Sequence, residues 1–314
     1  MWGITYMRAG LSAYRNSTLL MLLGSIIIFS GALTALAGED CELSNLTEGI
    51  GSQTSRNSHL PKLSSDGAMI SFESSRDFFN QGADTTRQIF YIDTVTDMIF
   101  PVTTGSGGTN RFADISGDGS KVVFTSNKDH APGNNNPDSG QEMFLYDINT
   151  SSFTQITSST FSTFSSQTIP FSDFDGSSIT FSFFFYPVTN VDVRSEAFFY
   201  ETDAAQVTQV TDTTGNALNF VNGISSDGTR IVFWSRDDFT GNNADGNVEI
   251  FMYDSSLNMF TQVTDIIGGS ASNFASAFPD VSADGSTIVF QSRNDHVNEN
   301  GDGNVEIFSY DVAT

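Results

Sequence analysis

The chain has 314 residues, with 13 Lys and Arg against 37 Asp and Glu, for a net charge of −24. Nucleic-acid binding needs a basic stripe, which this balance excludes, and an anionic membrane surface would repel the folded body. Cys41 is the only cysteine, so no intrachain disulfide forms and stability must come from packing.

In chain order, Arg8 and Arg15 precede an apolar stretch from Leu19 to Ala37, which ends in Ala35-Leu36-Ala37. This reads as an export signal over residues 1–37, cleaved before Gly38. The stretch is also long enough to serve as an uncleaved anchor. The expected location is periplasmic or secreted. Residues 38–314 then form a single domain with no membrane insertion of its own.

A pattern recurs five times after that. It starts with Asp66-Gly67, Asp118-Gly119, Asp175-Gly176, Asp227-Gly228 and Asp284-Gly285, spaced 52 to 57 residues apart. Gly tolerates positive φ and Asp bonds its own backbone, so each pair predicts a tight hairpin between a strand a and a strand b. Strand b is apolar and ends near a Ser: Ser74, Ser126, Ser235 and Ser292. Strand c is QIFYID (88 to 93), EMFLYD (142 to 147), EAFFYE (196 to 201), EIFMYD (249 to 254) or EIFSYD (306 to 311). Strand d is short and Thr-rich: FPVT (100 to 103), FTQIT (153 to 157), VTQVT (207 to 211) and FTQVT (260 to 264). An all-strand repeat of this length predicts an all-β fold, a five-bladed β-propeller of four-stranded antiparallel blades. The 29 Phe residues suit the space between radially packed sheets.

The fifth repeat reaches Thr314 with strands a, b and c only. LSNLT (43 to 47) precedes the first Asp-Gly much as FTQVT precedes the fifth, so this segment is expected to add strand d to the last blade, beside Ile307 to Asp311. A fragment of a larger ring is the alternative. Blade three diverges. Ser172 replaces the Leu63, Ile115, Ile224 or Val281 of the others, and Phe183 to Tyr186 makes an aromatic run beside a loop. Drift explains such divergence, and an interaction surface is the functional alternative.

The unit SSDG-x-x-I-x-F-x-S-x-x-D … EIF-x-YD … T-Q-x-T, clearest over residues 225 to 264 and 282 to 311, resembles the WD-repeat-like β-propeller repeats of the TolB type. The resemblance covers about residues 43 to 314 and implies an exported propeller scaffold. The separate N-terminal domain through which TolB contacts the envelope is not matched, so the resemblance implies no role in that system.

Two loops invite chemistry. One carries Asp238, Asn243, Asp245, Asn247 and Glu249; the other carries Asp295, Asn300, Asp302, Asn304 and Glu306. Oxygen-bearing side chains at alternate positions around an Asp-Gly turn are what calcium takes, although the Gly is misplaced for an EF-hand. The competing reading is that these residues simply build a turn. Four positions before each turn Asp lie Lys62, Asp114, Phe171, Gly223 and Asp280, on the strand that lines a propeller's axis. Asp114 and Asp280 are therefore the candidate catalytic carboxylates of a glycosidase-like enzyme. His59, His130 and His296 are read as occupying different repeat positions, with no metal set or triad. The leading expectation is a non-enzymatic exported scaffold that binds a protein or envelope component through its loops, with the oligomeric state open. A calcium-binding propeller and a polysaccharide-active enzyme are the alternatives.

Overall fold

A computed structural model describes residues 43–47, 57–79, 86–133, 136–158, 169–183, 195–213, 218–266 and 276–312. The chain divides into Met1–Asn45 and Leu46–Thr314. The expected export signal, residues 1–37, lies outside the described residues, as does most of the aromatic run at 183 to 186.

The second unit holds five antiparallel sheets, each from one repeat. Sheet one is β1 (Ser58–Leu63), β2 (Met69–Ser74), β3 (Gln88–Asp93) and β4 (Met98–Pro101). Sheet two is β5 (Asn110–Ile115), β6 (Lys121–Ser126), β7 (Glu142–Asp147) and β8 (Ser152–Gln155). Sheet three is β9 (Phe171–Ser172), β10 (Ser178–Phe183), β11 (Glu196–Glu201) and β12 (Gln206–Gln209). Sheet four is β13 (Phe220–Ile224), β14 (Arg230–Ser235), β15 (Glu249–Asp254) and β16 (Met259–Gln262). Sheet five is β17 (Ser276–Val281), β18 (Thr287–Ser292) and β19 (Glu306–Asp311).

The hairpins form as the Asp-Gly pairs dictate. In sheet one Asp66 Oδ1 accepts the Ala68 N–H and the Ser64 hydroxyl, Ser64 Oγ accepts the Met69 N–H, and Gly67 has φ +75°. Sheets two, four and five repeat this with Ser116, Ser225 and Ser282. Sheet three substitutes Asp173, which accepts the Ser177 hydroxyl. Each later turn also presses on the sheet before it. A Cβ on Gly119, Gly176, Gly228 or Gly285 would come within 2.4–2.8 Å of Met69, Lys121, Ser178 or Arg230, so only glycine fits. Main-chain bonds join the turns in series: Ser65 N–H to Gly117 O, Gly117 N–H to Asp173 O, Phe174 N–H to Ser226 O, and Ser226 N–H to Ala283 O.

Because side chains alternate along a strand, each sheet has a leading face toward the previous sheet and a trailing face toward the next. Four cores fill the four junctions. The core between sheets two and three, for example, sets Val123, Met143 and Leu145 against Ile179, Phe181, Phe198 and Tyr200. In every sheet one Phe of strand b stacks on one Phe of strand c, from Phe72–Phe90 to Phe290–Phe308, with centroids 5.6–5.9 Å apart. An aromatic ring four residues after the terminal Ser of strand b covers each of four such pairs: Phe78, His130, Phe239 and His296. His130 and His296 thus occupy one repeat position, which corrects the reading that the histidines are unrelated. They are packing residues that alternate with Phe.

The d strands run slightly earlier than expected and stop before the final Thr. That Thr turns its hydroxyl inward instead. Thr103, Thr157, Thr211 and Thr264 each accept the N–H of the second residue of strand c. Their hydroxyls donate to Gln88, Glu142, Glu196 and Glu249. A side chain thus takes over where the backbone ladder ends.

Residues 43–47 do not form the expected closing strand. Residues 43–45 carry no strand, and residues 46 and 47 lie in a turn. The Thr47 carbonyl is held by the Arg76 guanidinium at 2.9 Å, on sheet one. Among the described residues, sheet five has three strands, and no packing like that of the four junctions joins it to sheet one.

Burial among Phe124, Phe144 and Phe153 pushes the His130 pKa down to about 4, with Lys128 adding to the effect. The folded state therefore holds His130 neutral, while the unfolded chain binds a proton near the ordinary value of 6.5. Its contribution to stability is complete above 6.5 and is lost as pH falls toward 4. The His130→Phe variant should lose less stability than the parent between pH 7 and 4.5. Discounted for partial exposure, the difference should be roughly 1–2 kcal/mol in thermal or urea melts.

Candidate active site

The first strand of each sheet sets the candidate site. In sheets one, two and five the pairing register slips, between His59 and Lys62, Arg111 and Asp114, and Ala277 and Asp280. At each slip sits a bulky residue in the left-handed region: Leu60 (φ 50°), Phe112 (φ 54°) and Phe278 (φ 52°). An apolar side chain at positive φ is strained and persists only where its surroundings hold it. For Phe112 the holder is Glu73 on sheet one, whose Oε1 accepts the Phe112 N–H. Glu73 is buried and is itself fixed by Arg87 at 2.8 Å.

Such bulges re-aim the residues that follow them. Two positions on from each strained residue stand Lys62, Asp114 and Asp280, the three charged members of the row. The register of sheet four also slips, between Val221 and Gly223, but no residue of β13 has positive φ, and Gly223 is uncharged. Sheet three has Phe171 on a two-residue strand.

The side chains of the row interact. Lys62 Nζ lies 3.9 Å from Asp114 Oδ1 and 5.3 Å from the Phe171 ring centroid. The other oxygen of Asp114 accepts the Ser172 N–H at 2.9 Å. Asp114 is buried, and desolvation raises its pKa above the ordinary 3.8, against the opposing pull of Lys62 and the Ser172 N–H. Asp280 is exposed, and its Oδ1 accepts the Val281 N–H. Sheets three and four stand between Asp114 and Asp280 in the row. What the structure brings into contact is therefore an Asp–Lys pair, with Asp280 farther along. A carboxyl raised by burial beside an ammonium is equipped for proton transfer. Lys62 was legible only as a position in the row; the bulges carry no Gly or Asn to announce them.

The two loops proposed for calcium are built as turns. Asp238 Oδ1 accepts the N–H groups of Gly241 and Asn243, and Asp295 Oδ1 those of Glu299 and Asn300. Asn247 Nδ2 donates to Asp245 at 3.1 Å and Asn304 Nδ2 to Asp302 at 2.9 Å. Glu249 is buried and accepts Thr264 Oγ1 and the Ile266 N–H, while Glu306 holds the same place in sheet five, half-buried. Asn243 and Asn300 are buried and donate to the Asn247 and Asn304 carbonyls, and Asn136 does the same to Gly140 in sheet two. The Oδ1 atoms of Asn136, Asn243, Asn247 and Asn300 are buried without a donor. Among the described residues no three His, Cys, Asp or Glu converge in a way that would hold a metal.

No protein-family model matches this chain, and no curated protein matches it in sequence. Solved structures do share its fold. An oligogalacturonate lyase in complex with manganese matches with a TM-score of 0.51 at 15% identity, over 83% of this chain and 66% of that one. A prolyl endopeptidase, from work on inter-domain dynamics in catalysis and specificity, matches with a TM-score of 0.50 at 9% identity over 76% of this chain. This chain spans about one third of the endopeptidase, 33% of its length. These neighbours are β-propeller-like, and at such identities the likeness is one of fold. Both are enzymes, so the shared fold points away from the non-enzymatic scaffold expected from the sequence and toward its enzyme alternative.

Asp114 also yields a stability prediction. Because its folded pKa is raised, its charge destabilises the fold above that pKa, and the penalty vanishes below about 3.8, where both states hold the proton. Asp114→Asn should therefore raise the melting temperature at pH 7, by roughly 2–4 °C if about 1 kcal/mol is relieved. The gain should shrink to nothing near pH 4. A neutral-pH loss of stability would mean that the Lys62 contact outweighs burial.

Proposed function

We propose that this chain is a polysaccharide-active enzyme that cleaves glycosidic bonds by proton transfer at the axial row. Asp114 is the proton-transferring group, Lys62 its charge partner, and Asp280 the second carboxylate, placed to orient water or the leaving group. One observation carries this reading: every charged residue of the row follows a strained left-handed residue, and one of them is a buried carboxyl with a raised pKa. Strain kept at three equivalent places marks a position whose direction matters. The enzymes among the fold neighbours support a catalytic use of such a body. The net charge of −24 would repel a polyanionic chain, so a neutral polysaccharide fits better than a polyuronate. We place the protein outside the cytoplasm, on the export signal read at residues 1–37.

A panel of neutral and acidic polysaccharides, assayed for new reducing ends and for unsaturated products with and without manganese, tests the proposal. Turnover should fall by roughly 10²–10⁴-fold in Asp114→Asn and clearly in Asp280→Asn and Lys62→Ala. Unsaturated products would indicate elimination rather than hydrolysis. No turnover across the panel, or turnover untouched by Asp114→Asn, would sink the reading.

A second reading, a structural calcium ion in the loops at 238–249 and 295–306, is favoured by the buried, unpaired oxygens of Asn243, Asn247 and Asn300. Calcium should then raise the melting temperature, and Asp245→Ala with Asp302→Ala should remove the increment while the sheets stay folded. Identical melting curves in millimolar calcium and in chelator would leave these oxygens to buried water.

A further inference from the structure

The repeats allow each position to be judged against its counterparts, and sheet three departs from them where it meets sheet four. The first residue of strand b is Met69, Lys121, Ser178, Arg230 or Thr287. Each pairs with the carboxylate residue that ends strand c, namely Asp93, Asp147, Glu201, Asp254 or Asp311. In sheets one to four that first residue also lies against the turn glycine of the next sheet.

Two of the four junctions seat a cation there. Lys121 Nζ donates to the Asp175 carbonyl of the next turn. Arg230 packs against Gly285 of the next turn, with Nη2 4.0 Å from Asp254 Oδ2. Met69 occupies the equivalent place in the first junction without charge. Ser178 is too short to do either. Beside it opens a cavity of about 350 Å³, lined by sheet three and by the two turns of sheet four. Glu201 and Asp227 border this cavity, Phe199 and Tyr253 form part of its wall, and no Lys or Arg lines it among the described residues.

Two further departures of sheet three meet at the same place. Asp93, Asp147 and Asp254 each close the turn after strand c by accepting backbone N–H groups. Glu201 is one methylene longer and exposed, and its carboxylate makes no hydrogen bond or ion pair among the described residues. Asp173 stands where the other turns have Ser64, Ser116, Ser225 and Ser282, is 3% exposed, and has its Oδ1 without a hydrogen-bond partner. Its Oδ2 lies 2.9 Å from where a Cβ of Gly228, itself a wall of the cavity, would stand. A short residue, an uncommitted carboxylate and an added acid thus converge on one junction.

We propose that this cavity binds an organic cation, an alkylammonium or alkylguanidinium, in the place that Lys121 and Arg230 hold at the neighbouring junctions. The alkyl stem lies along Phe199 and Tyr253, and the charge sits between Glu201 and Asp227. A divalent ion is the poorer match. Calcium takes a full shell of oxygens, the wall is partly aromatic, and no three His, Cys, Asp or Glu converge among the described residues. Binding here requires no turnover at the axial row.

Isothermal titration of the full chain with agmatine, which carries both cationic groups, tests the proposal. Saturable one-site binding in the millimolar range is expected, weakening as salt rises. Glu201→Gln should weaken it roughly two- to fivefold, and the exposed position leaves the fold intact. Ser178→Lys supplies the cation from the chain itself, as sheet two does, and should abolish saturable binding with no loss of melting temperature. If Ser178→Lys fails to fold, Glu201→Gln alone decides. No binding to the parent overturns the proposal. So does binding equal in the parent and in Glu201→Gln, which is diffuse attraction to a net charge of −24. Calcium that displaces agmatine at equal concentration would make this a metal site and would also overturn it. A blocked Lys- or Arg-containing peptide that binds more tightly than agmatine identifies a partner protein's side chain as the source, and the reverse order a free amine; either supports the site.

Discussion

The fold depends on how one hairpin turn touches the next. Each Asp-Gly turn is closed internally by a carboxylate and a Ser hydroxyl, then donates or accepts a main-chain bond across to its neighbour. The turn glycine lets two sheets approach to a distance that no side chain would allow. With that spacing set, the leading and trailing faces meet and bury their Ile, Val and Phe residues at each junction. Lys121 adds a strap across the second junction, with Nζ bonded to the Asp175 carbonyl. The cores are thus a consequence of turn chemistry as much as of apolar composition.

The same arrangement shapes the candidate site. The first strands of sheets one, two and five run six residues and end at these turns, so the slip in register falls within a few residues of a turn. It is absorbed at Leu60, Phe112 and Phe278 and shows in the direction of Lys62, Asp114 and Asp280. Glu73 and Arg87 of sheet one brace the strained residue of sheet two, which makes that geometry a property of the junction rather than of one sheet. A catalytic reading of the row rests on this bracing, since a carboxyl that must hold and release a proton needs a fixed direction.

Most of the scaffold was legible because its determinants are local. Asp-Gly pairs, the alternating strands b and c, and the Thr-rich d strands need only a few neighbouring residues to be recognised. What escaped depends on contacts between sheets. The bulges occur at Leu and Phe, residues that favour no turn, and the one at Phe112 is held by Glu73 of the sheet before it. The shared role of His130 and His296 became visible only when the rings were seen over the stacked Phe pairs, where Phe78 and Phe239 stand in the other sheets. The d strands end early because a Thr hydroxyl, not a backbone group, finishes the ladder. The expected closure by residues 43–47 was a spacing argument, and spacing does not say which sheet a segment will meet.

The stacked Phe pair inside every sheet has a consequence for how the molecule comes apart. Its two rings belong to adjacent strands of one hairpin, so each sheet contains its own small apolar nucleus before any neighbour arrives. The junctions then couple these units only to their nearest neighbours, which makes stability a sum over a line rather than a property of one shared core. Among the described residues, sheets two, three and four pack on a neighbour at both sides, and sheets one and five at one. Amide exchange should accordingly spread inward from the two ends of the line, with the protons of sheet three the last to leave.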